Sequence, residues 1–291
     1  MRILVLGGDG MLGHALLAEL GQRHEVWVTL RRDRPAYLAH AGLFPDRVLY
    51  RVDARQQAAL RRALAAARPE AVVNAVGLVK QRAEVQDAVA AVELNALLPH
   101  RLARLCGEVG AHLVHLSTDC VFSGARGRYA EADLPDPVDL YGRSKLLGEP
   151  MGPGCLTLRT SMIGLELSRR NGLVEWFLAQ RGRVRGFRRA IFSGLTTREL
   201  ARAVEHLLLQ SAPPAGLYHL AAEPISKLEL LAGLASRLGR TDVELVPDDE
   251  VACDRSLDGR ALSALTTYRV PPWGAMLDEL AESIRRRSAA S

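Results

Sequence analysis

Two short motifs carry residue types that suit proton transfer to a carbonyl oxygen: STDCVF at residues 117–122 and YGRSK at residues 141–145. Tyr141 and Lys145 are four residues apart, which on a helix places them on one face about a turn apart. An ammonium group beside a phenol favours the phenolate and lowers the tyrosine pKa from its usual value of about 10. The spacing therefore predicts that Tyr141 is a general acid near neutral pH and that Lys145 activates it.

Thr118 is predicted to stand at the end of a strand, because it follows the apolar run at 113–116. Its hydroxyl is then placed to share a hydrogen bond with the substrate oxygen that Tyr141 protonates. A chance surface pair is the alternative for Tyr141 and Lys145. The chain has 6 tyrosines and three lysines in 291 residues, so an accidental Y-x-x-x-K is rare and the catalytic interpretation is favoured.

Glycines near the amino terminus predict a site for a pyrophosphate. The apolar run at 2–6 leads directly into GGDGMLG, where Gly7, Gly10 and Gly13 are three residues apart, and then into a helical pattern. Glycine lets the backbone approach a phosphate closely, and the start of a helix attracts negative charge. This position after the first strand is typical of a dinucleotide-binding loop.

Two arginines predict the form of the dinucleotide. Arg31 and Arg32 stand at the end of the second predicted strand, residues 25–30. An acidic residue there would bind the ribose 2′-hydroxyl of NAD, whereas an arginine accommodates a 2′-phosphate. The sequence therefore favours NADP(H) over NAD(H), with a solvated basic loop as the alternative.

Strand-like and helical segments alternate and predict an α/β fold, a Rossmann-type doubly wound parallel sheet. The third strand, 48–52, ends in Asp53. That residue is placed either to hydrogen-bond the adenine or to cap the helix predicted at 56–67, and the two interpretations stay open. The fourth strand, 71–76, ends in Gly77, where the backbone can approach the nicotinamide ribose.

The rest of the chain predicts a second domain. A helix around 87–107 leads to the strand before Thr118, and a sixth strand follows at 155–158. Residues 1–164 are assigned to an NADP-binding Rossmann domain, with returning segments near 190–222. Residues 165–291 are assigned mainly to a small, interleaved substrate-binding domain with helices at 197–209 and 226–238.

Composition excludes several classes of protein. The 4 cysteines show no C-x-x-C spacing, so neither a disulfide framework nor a metal site is predicted. No apolar run is long enough to span a membrane, and the amino terminus is unlike a signal peptide, so we expect a cytoplasmic protein. The net charge of +5 is carried mostly by arginine, which either suits phosphate-bearing ligands or reflects an arginine-biased codon usage. Nucleic acid is not an expected partner, because the charge is dispersed apart from the run at 181–189.

The chain resembles the extended short-chain dehydrogenase/reductases. Its three spaced glycines match their phosphate loop, and Thr118, Tyr141 and Lys145 match their catalytic set. Asn95 matches the helix asparagine that members use structurally or in a proton relay. Within that superfamily, STDCVFSG followed by YGRSKLLGE looks like the dTDP-4-dehydrorhamnose reductase group of nucleotide-sugar 4-ketoreductases.

The resemblance implies NADPH-dependent reduction of the 4-keto group of a nucleotide-diphosphate deoxysugar, in bacterial polysaccharide or deoxysugar biosynthesis. No metal ligand is carried over. The implied substrate contacts after the strands are Val79, Lys80 and Cys120. Arg188 is placed to meet the diphosphate of a sugar nucleotide, with a solvated basic loop as the alternative. Trp176 is placed to wall the pocket, with a position in the core as the alternative. The implied cofactor contacts are Gly7, Gly10, Met11, Leu12, Gly13, Arg31, Arg32, Asp53, Ala54, Ala75, Val76, Gly77, Ser117 and Thr160.

Two departures from the group leave the sugar open. Many of those reductases have tyrosine where Cys120 stands, and the loop after Gly77 reads LVKQR rather than a Thr-Ala-Val-Asp type of sequence. The segments NAVGLVKQ and GLVEWFLAQ look like a subgroup found with bacterial surface-polysaccharide genes, where the substrate can be a UDP-linked 4-keto sugar.

Two other functions fit the same resemblance. A nucleotide-sugar epimerase or dehydratase shares the fold, but related dehydratases place Asp-Glu directly after the catalytic threonine, and here Cys120 follows Asp119. The other is a non-catalytic NADP-binding regulatory subunit, since that of methionine adenosyltransferase resembles this group. The intact Thr118, Tyr141 and Lys145 favour catalysis. The oligomeric state stays open, with a homodimer as one alternative.

Overall fold

The computed structural model describes residues 1–44, 46–79, 87–168 and 170–289, and the expected substrate contact Lys80 lies outside these ranges. The strands are β1 (Arg2–Leu6), β2 (Glu25–Thr29), β3 (Val48–Leu49), β4 (Ala71–Asn74), β5 (His112–Leu116), β6 (Cys155–Arg159), β7 (Met162–Ile163), β8 (Gly182–Phe187), β9 (Ala190–Phe192), β10 (Leu195–Thr196), β11 (Gly216–His219), β12 (Ile225–Ser226), β13 (Val243–Asp248) and β14 (Cys253–Asp254). The helices are α1 (Met11–Leu20), α2 (Gln57–Ala67), α3 (Ala88–Ala91), α4 (Leu98–Val109), α5 (Leu140–Leu147), α6 (Leu173–Ala179), α7 (Thr197–Leu208), α8 (Lys227–Leu238), α9 (Arg260–Leu265) and α10 (Trp273–Ala289). A π-helical segment, Val92–Leu97, joins α3 to α4.

Seven of the described strands form one parallel sheet in the order β3-β2-β1-β4-β5-β6-β11. The run of strands changes direction between β1 and β4, so the loops after these two strands diverge and open a crevice at the carboxyl edge. Four of the five residues of β1 are buried, as expected of a strand covered on both faces. The predicted Rossmann-type doubly wound parallel sheet is confirmed.

Helices cover both faces of this sheet. On one face α1 packs against α7, and Leu16 and Leu200 belong to the same buried cluster. On the other face α2 packs against α4, and Leu60 and Leu102 belong to a second cluster. With both faces filled by aliphatic side chains, the carboxyl edge of the strands is the place where a ligand can reach the sheet.

Two strands end earlier than the sequence pattern predicts, and the local backbone explains both differences. β3 stops well before residue 52, and Arg51 adopts a left-handed conformation with φ of 57° that breaks an extended run. β4 ends at Asn74 rather than at residue 76, because the Asn74 side-chain oxygen accepts a hydrogen bond of 3.1 Å from the Val76 amide. The Val76 amide thus bonds to the Asn74 side chain instead of to a neighbouring strand.

The second half of the chain adds smaller units beside the sheet. β8 and β13 pair in parallel, and α8 packs against both. β12, β9 and β14 form another small sheet, while β11 returns to the main sheet. The division of the chain into two domains at the expected boundaries stays a prediction. None of the described helices combines the length and apolar character needed to cross a membrane.

The arginine-rich run at 181–189 is matched by acidic side chains. Arg181, Arg183, Arg185 and Arg188 each form a salt bridge with a carboxylate from residues 242–250. These side chains are largely exposed, and each pair contributes little to stability. The pairing nevertheless neutralises the stripe of positive charge that a nucleic-acid site would need.

A buried ion pair ties the chain after α5 to β6 and to the end of β5. The Arg159 guanidinium donates to both Glu149 carboxylate oxygens, at 2.9 and 2.8 Å, and both side chains are only 5% exposed. The Ser117 hydroxyl donates to the same carboxylate at 2.5 Å. The pair therefore fixes the residue that precedes Thr118.

Replacing Glu149 tests this arrangement. Glu149→Gln leaves the buried Arg159 charge uncompensated, so we expect the free energy of unfolding to fall by about 3–5 kcal/mol. The same change at Glu244, whose pair with Arg183 is exposed on both sides (68% and 74%), should cost less than about 1 kcal/mol. Urea unfolding of the two variants measures both values, and equal losses would contradict a stabilising role for the buried pair.

Candidate active site

A cleft of about 300 Å³ opens at the carboxyl edge of the sheet, next to the point where the strand order reverses. It is lined from one side by the loops after β1, β4, β5 and β6, and from the other by the start of α6, by β9 and by α8. The expected site residues that line it are Gly10, Met11, Leu12, Ala75, Val76, Gly77, Val79, Ser117, Thr118, Cys120, Tyr141, Lys145 and Thr160. The fold thus brings together residues from the first 160 positions of the chain.

The glycine loop after β1 has the shape that close approach of a phosphate requires. Gly7 has a φ of 82°, and the Gly10 amide donates to the Gly7 carbonyl oxygen at 3.0 Å to close the turn. A Cβ atom at Gly13 would overlap that same carbonyl oxygen, so only glycine allows α1 to lie so close to the loop. The first turn of α1 holds no acidic residue, which leaves its amino terminus suited to an anion. These residues fit a dinucleotide.

Arg31 and Arg32 lie just after β2 with exposed side chains, and neither forms a salt bridge with any described residue. They stay candidates for a 2′-phosphate. Asp53 lies near the same edge, where the Arg55 guanidinium and the Arg55 amide hydrogen-bond its carboxylate and lower its pKa. Asp53 does not cap α2, because Gln56 occupies the N-cap position. Its proposed contact with adenine stays a prediction, as does that of the adjacent buried Ala54.

Tyr141 lies in the first turn of α5, which Asp139 caps by accepting a hydrogen bond of 2.8 Å from the Gly142 amide. The expected lowering of the Tyr141 pKa is not what the structure shows. Burial raises the pKa of Tyr141 above its ordinary value, with a hydrogen bond to Thr118 acting in the opposite direction. Lys145 is not among the groups that set this shift.

The reason lies in where the Lys145 side chain is held. Its Nζ donates to the Leu116 carbonyl oxygen at 2.6 Å and lies 3.5 Å from His115 Nε2. Burial lowers the pKa of Lys145 to about 8, while the charge of Glu149 raises it. The amine is therefore held by its hydrogen bond to the last residue of β5. Its proton is less tightly bound than that of an exposed lysine.

Asn95 has a structural role in this protein. Its side chain is fully buried, accepting from the Leu78 amide at 2.8 Å and donating to the Leu78 carbonyl oxygen at 3.1 Å. The same amide group donates to Ser144 Oγ at 3.1 Å. Asn95 thus ties the loop after β4 to α5. The resemblance implied either a structural role or a part in a proton relay, and these contacts are structural.

Thr118 begins a short turn that carries the rest of the STDC motif. Its Oγ accepts from the Cys120 amide at 3.1 Å and lies 3.2 Å from an Asp119 carboxylate oxygen, to which it donates. Burial raises the pKa of the Cys120 thiol to about 12, so this side chain is a neutral lining group of the cleft. Burial also raises the pKa of Asp119, against the opposing charge of Lys227.

Lys227 is a cleft residue that the sequence motifs did not predict. It is the first residue of α8, and its Nζ lies 4.0 Å above the centroid of the Phe192 ring. Burial lowers the pKa of Lys227, while the nearby Asp119 raises it. Within the described ranges its ammonium group has no hydrogen-bond or salt-bridge partner. One signal was present in the sequence: Lys227 is one of only three lysines.

Two expected substrate contacts lie outside the cleft. Trp176 is 40% exposed on α6, one turn beyond the residues of that helix that line the cleft. Arg188 is engaged in its surface salt bridge with Asp249. Val79 and Cys120 do line the cleft, and Lys80 falls outside the described residues.

Comparisons with known proteins identify a family and several relatives. The family described as "RmlD substrate binding domain" matches residues 1–282. The chain is 33% identical over 150 residues to methionine adenosyltransferase 2 subunit beta of Bos taurus, a match that covers 51% of this chain and 41% of that one. It is 34% identical over 168 residues to the dTDP-4-dehydrorhamnose reductase of Burkholderia thailandensis, covering 56% and 50%. The chain thus spans about half the length of these two curated relatives.

A solved structure extends the similarity of fold to the whole chain. The dTDP-4-dehydrorhamnose reductase of Bacillus anthracis, in complex with NADP, superposes with a TM-score of 0.77 at 21% identity. The match covers 96% of this chain and 98% of that one. At this identity the likeness speaks for the fold alone.

Proposed function

The chain belongs to the RmlD substrate binding domain family, and from that premise we propose that it is an NADPH-dependent reductase of the extended short-chain dehydrogenase/reductase type. Its proposed substrate is the 4-keto group of a nucleotide-diphosphate deoxysugar. The similarity to the Burkholderia thailandensis reductase supports the substrate class, and the Bacillus anthracis reductase, which binds NADP, supports the cofactor.

One observation carries the proposal. Thr118, from the turn after β5, and Tyr141 and Lys145, from α5, line one cleft together with part of the glycine loop after β1. A proton donor, a polar hydroxyl and a buried amine are therefore gathered next to a loop that fits a dinucleotide. Gly7, Gly10 and Gly13 would hold its pyrophosphate, and Arg31 and Arg32 would bind a 2′-phosphate.

When bound, NADPH supplies a hydride to the carbonyl carbon of the substrate. The Thr118 hydroxyl, which donates to Asp119 in the free protein, would turn to donate to the carbonyl oxygen and so orient it. Tyr141 donates its phenolic proton to the oxygen as negative charge develops there. Because burial raises its pKa, the phenol is in its protonated form before the reaction. Lys145, whose pKa is lowered to about 8, lies in the same cleft and returns a proton to Tyr141.

Lys227 is the substrate contact that we propose from the second half of the chain. A lysine at the first position of a helix is unfavourable, because the helix dipole is positive there. Its ammonium group nevertheless lines the cleft with an aromatic ring on one side and no salt-bridge partner among the described residues. An anionic or strongly polar oxygen of the substrate, such as a phosphate oxygen of a nucleotide sugar, would satisfy it.

The two alternative functions predict different chemistry at the same cleft. In a dehydratase a base must remove a proton from carbon, but the residue after Asp119 is Cys120, whose pKa is raised to about 12. The similarity to methionine adenosyltransferase 2 subunit beta suggests a non-catalytic subunit as the other alternative. Such a subunit would not reduce a keto sugar, and replacing Tyr141 would not affect its role. The buried proton-transfer groups favour the reductase.

The setting of the reaction is part of the proposal. All four cysteines are free, which suits the reducing cytoplasm, where we place the enzyme. We also propose that the protein is a homodimer, which a measurement of its molar mass in solution would test.

The proposal is tested first by removing the phenolic proton. Tyr141→Phe should lower the rate of ketone reduction by about 10²–10⁴-fold, because general acid catalysis is lost. NADPH binding, followed by nicotinamide fluorescence, should be unchanged. Tyr218→Phe, on β11 and outside the cleft, is the matched control and should keep full activity. An active Tyr141→Phe protein would refute the assigned role.

The substrate contact is tested by removing one positive charge. Lys227→Met should raise KM for the nucleotide sugar at least about tenfold, the loss expected for one charge-assisted hydrogen bond. Lys227→Arg should recover part of the loss, and NADPH affinity should not change. Arg188→Met, at the surface pair, is the comparison variant. A larger KM effect at Arg188 than at Lys227 would reverse the assignment.

A further inference from the structure

A chain of buried polar groups runs beneath Lys145 and is not used in the mechanism above. Lys145 Nζ lies 3.5 Å from His115 Nε2, at the outer limit of a hydrogen bond. On the other side of the ring, His115 Nδ1 lies 3.1 Å from the Asn74 amide nitrogen. The Asn74 oxygen accepts from the Val76 amide at 3.1 Å. His115 and Asn74 are 0% and 1% exposed, so their partners come from the protein.

Hydrogen-bond chemistry gives this chain one direction. The Val76 amide can only donate, so the oxygen of Asn74 must face it and the nitrogen must face His115. The Asn74 nitrogen can also only donate, so His115 Nδ1 must accept. A neutral imidazole that accepts at Nδ1 carries its proton on Nε2. Burial and the charge of Lys145 both lower the pKa of His115 well below its usual value, which keeps the ring neutral.

We propose that Asn74 and His115 present a fixed Nε2–H donor to Lys145 Nζ, and that His115 is thereby a positioning residue that favours the neutral amine of Lys145. A donor facing an ammonium group is unfavourable, whereas the lone pair of a neutral amine can accept from it. The backbone amide of Val76 sets this preference, because it fixes the orientation of Asn74 and through it the tautomer of His115.

The charged and titratable groups around Lys145 act on this preference in known directions. From β5, His115 disfavours the ammonium form. Glu149, just after α5, favours it, but that carboxylate is also engaged by Arg159 and Ser117. His100, from α4, acts on His115 and helps to keep the ring uncharged. Tyr141 lies one turn before Lys145 on α5. Burial lowers the pKa of Lys145, which is the same direction as the effect that we propose for His115.

The consequence for turnover rests on the proposed reductase function, whereas the hydrogen-bond chain does not. After Tyr141 has protonated the substrate oxygen, its phenolate takes a proton from the Lys145 ammonium group. The N–H bond of Lys145 breaks, the O–H bond of Tyr141 forms, and a neutral amine remains. That amine then accepts from His115 Nε2–H until water restores the proton. His115 therefore stabilises the state that follows proton return.

The test uses two residue types that are scarce enough to follow individually by NMR. The full chain contains three lysines, Lys80, Lys145 and Lys227, and 8 histidines. Lysine labelled with ¹³C at Cε reports each amine titration, and ¹⁵N-labelled histidine distinguishes the Nδ1–H from the Nε2–H tautomer. Lys145→Met and His115→Phe identify the two signals by their loss. Neither measurement requires substrate, so both test the hydrogen-bond chain even if the proposed reductase function is wrong.

In the wild-type protein we expect Lys145 to titrate near pH 8 and His115 to be the neutral Nε2–H tautomer. Asn74→Asp replaces the donor by a carboxylate that accepts from both neighbours. His115 should then switch to the Nδ1–H tautomer, and the Lys145 midpoint should rise by about one pH unit or more. His115→Phe removes the donor without adding charge and should also raise the Lys145 midpoint. Lys227, across the cleft, is the internal control and should not move with either variant.

Two results would overturn the proposal. One is a wild-type His115 that carries its proton on Nδ1 or is doubly protonated. The other is a Lys145 midpoint that stays unchanged in Asn74→Asp although the His115 tautomer has switched. If His115→Phe does not fold, the wild-type tautomer still decides the question, together with the His115 tautomer and the Lys145 midpoint of Asn74→Asp. A failed reductase assay with an Nε2–H tautomer and a shifted Lys145 midpoint would refute the proposed function alone.

Discussion

The site depends on the burial of one lysine amine at the carboxyl end of β5. Lys145 is 5% exposed, and its nearest partner is the carbonyl oxygen of Leu116 rather than a carboxylate. Removing an amine from water without a salt bridge weakens its hold on a proton, which is the property that a proton shuttle near neutral pH needs. The parallel sheet makes this burial possible, because helices cover both of its faces and the strand ends alone remain open.

The rest of the molecule holds that strand end in place. The Glu149–Arg159 pair fixes Ser117, and Asn95 ties the loop after β4 to α5. The cleft is completed from the second half of the chain, where α8 begins with Lys227. One part of the chain thus holds the proton-transfer groups, and the other supplies the cation that we propose for substrate binding.

Much of the fold and half of the site could be predicted from the sequence, because local patterns determine them. The glycine loop and the spacing of Tyr141 and Lys145 depend on residues close together in the chain. The position of Lys227 and the engagement of Arg188 depend on contacts between distant segments, which no local pattern contains. The prediction of a lowered Tyr141 pKa was wrong for a related reason. It considered Lys145, four residues away in the sequence, and omitted burial, which depends on three-dimensional packing.

The central claim is that the cleft reduces a ketone of a nucleotide sugar with an exchangeable NADPH. The most direct measurement is the consumption of NADPH, and in parallel of NADH, by the purified protein on a panel of dTDP- and UDP-linked 4-keto sugars. We predict that NADPH is oxidised in step with formation of the reduced sugar, faster than NADH, and that little cofactor co-purifies. Tightly held NAD(H), with no net oxidation of added NADPH on any of these sugars, would contradict the claim.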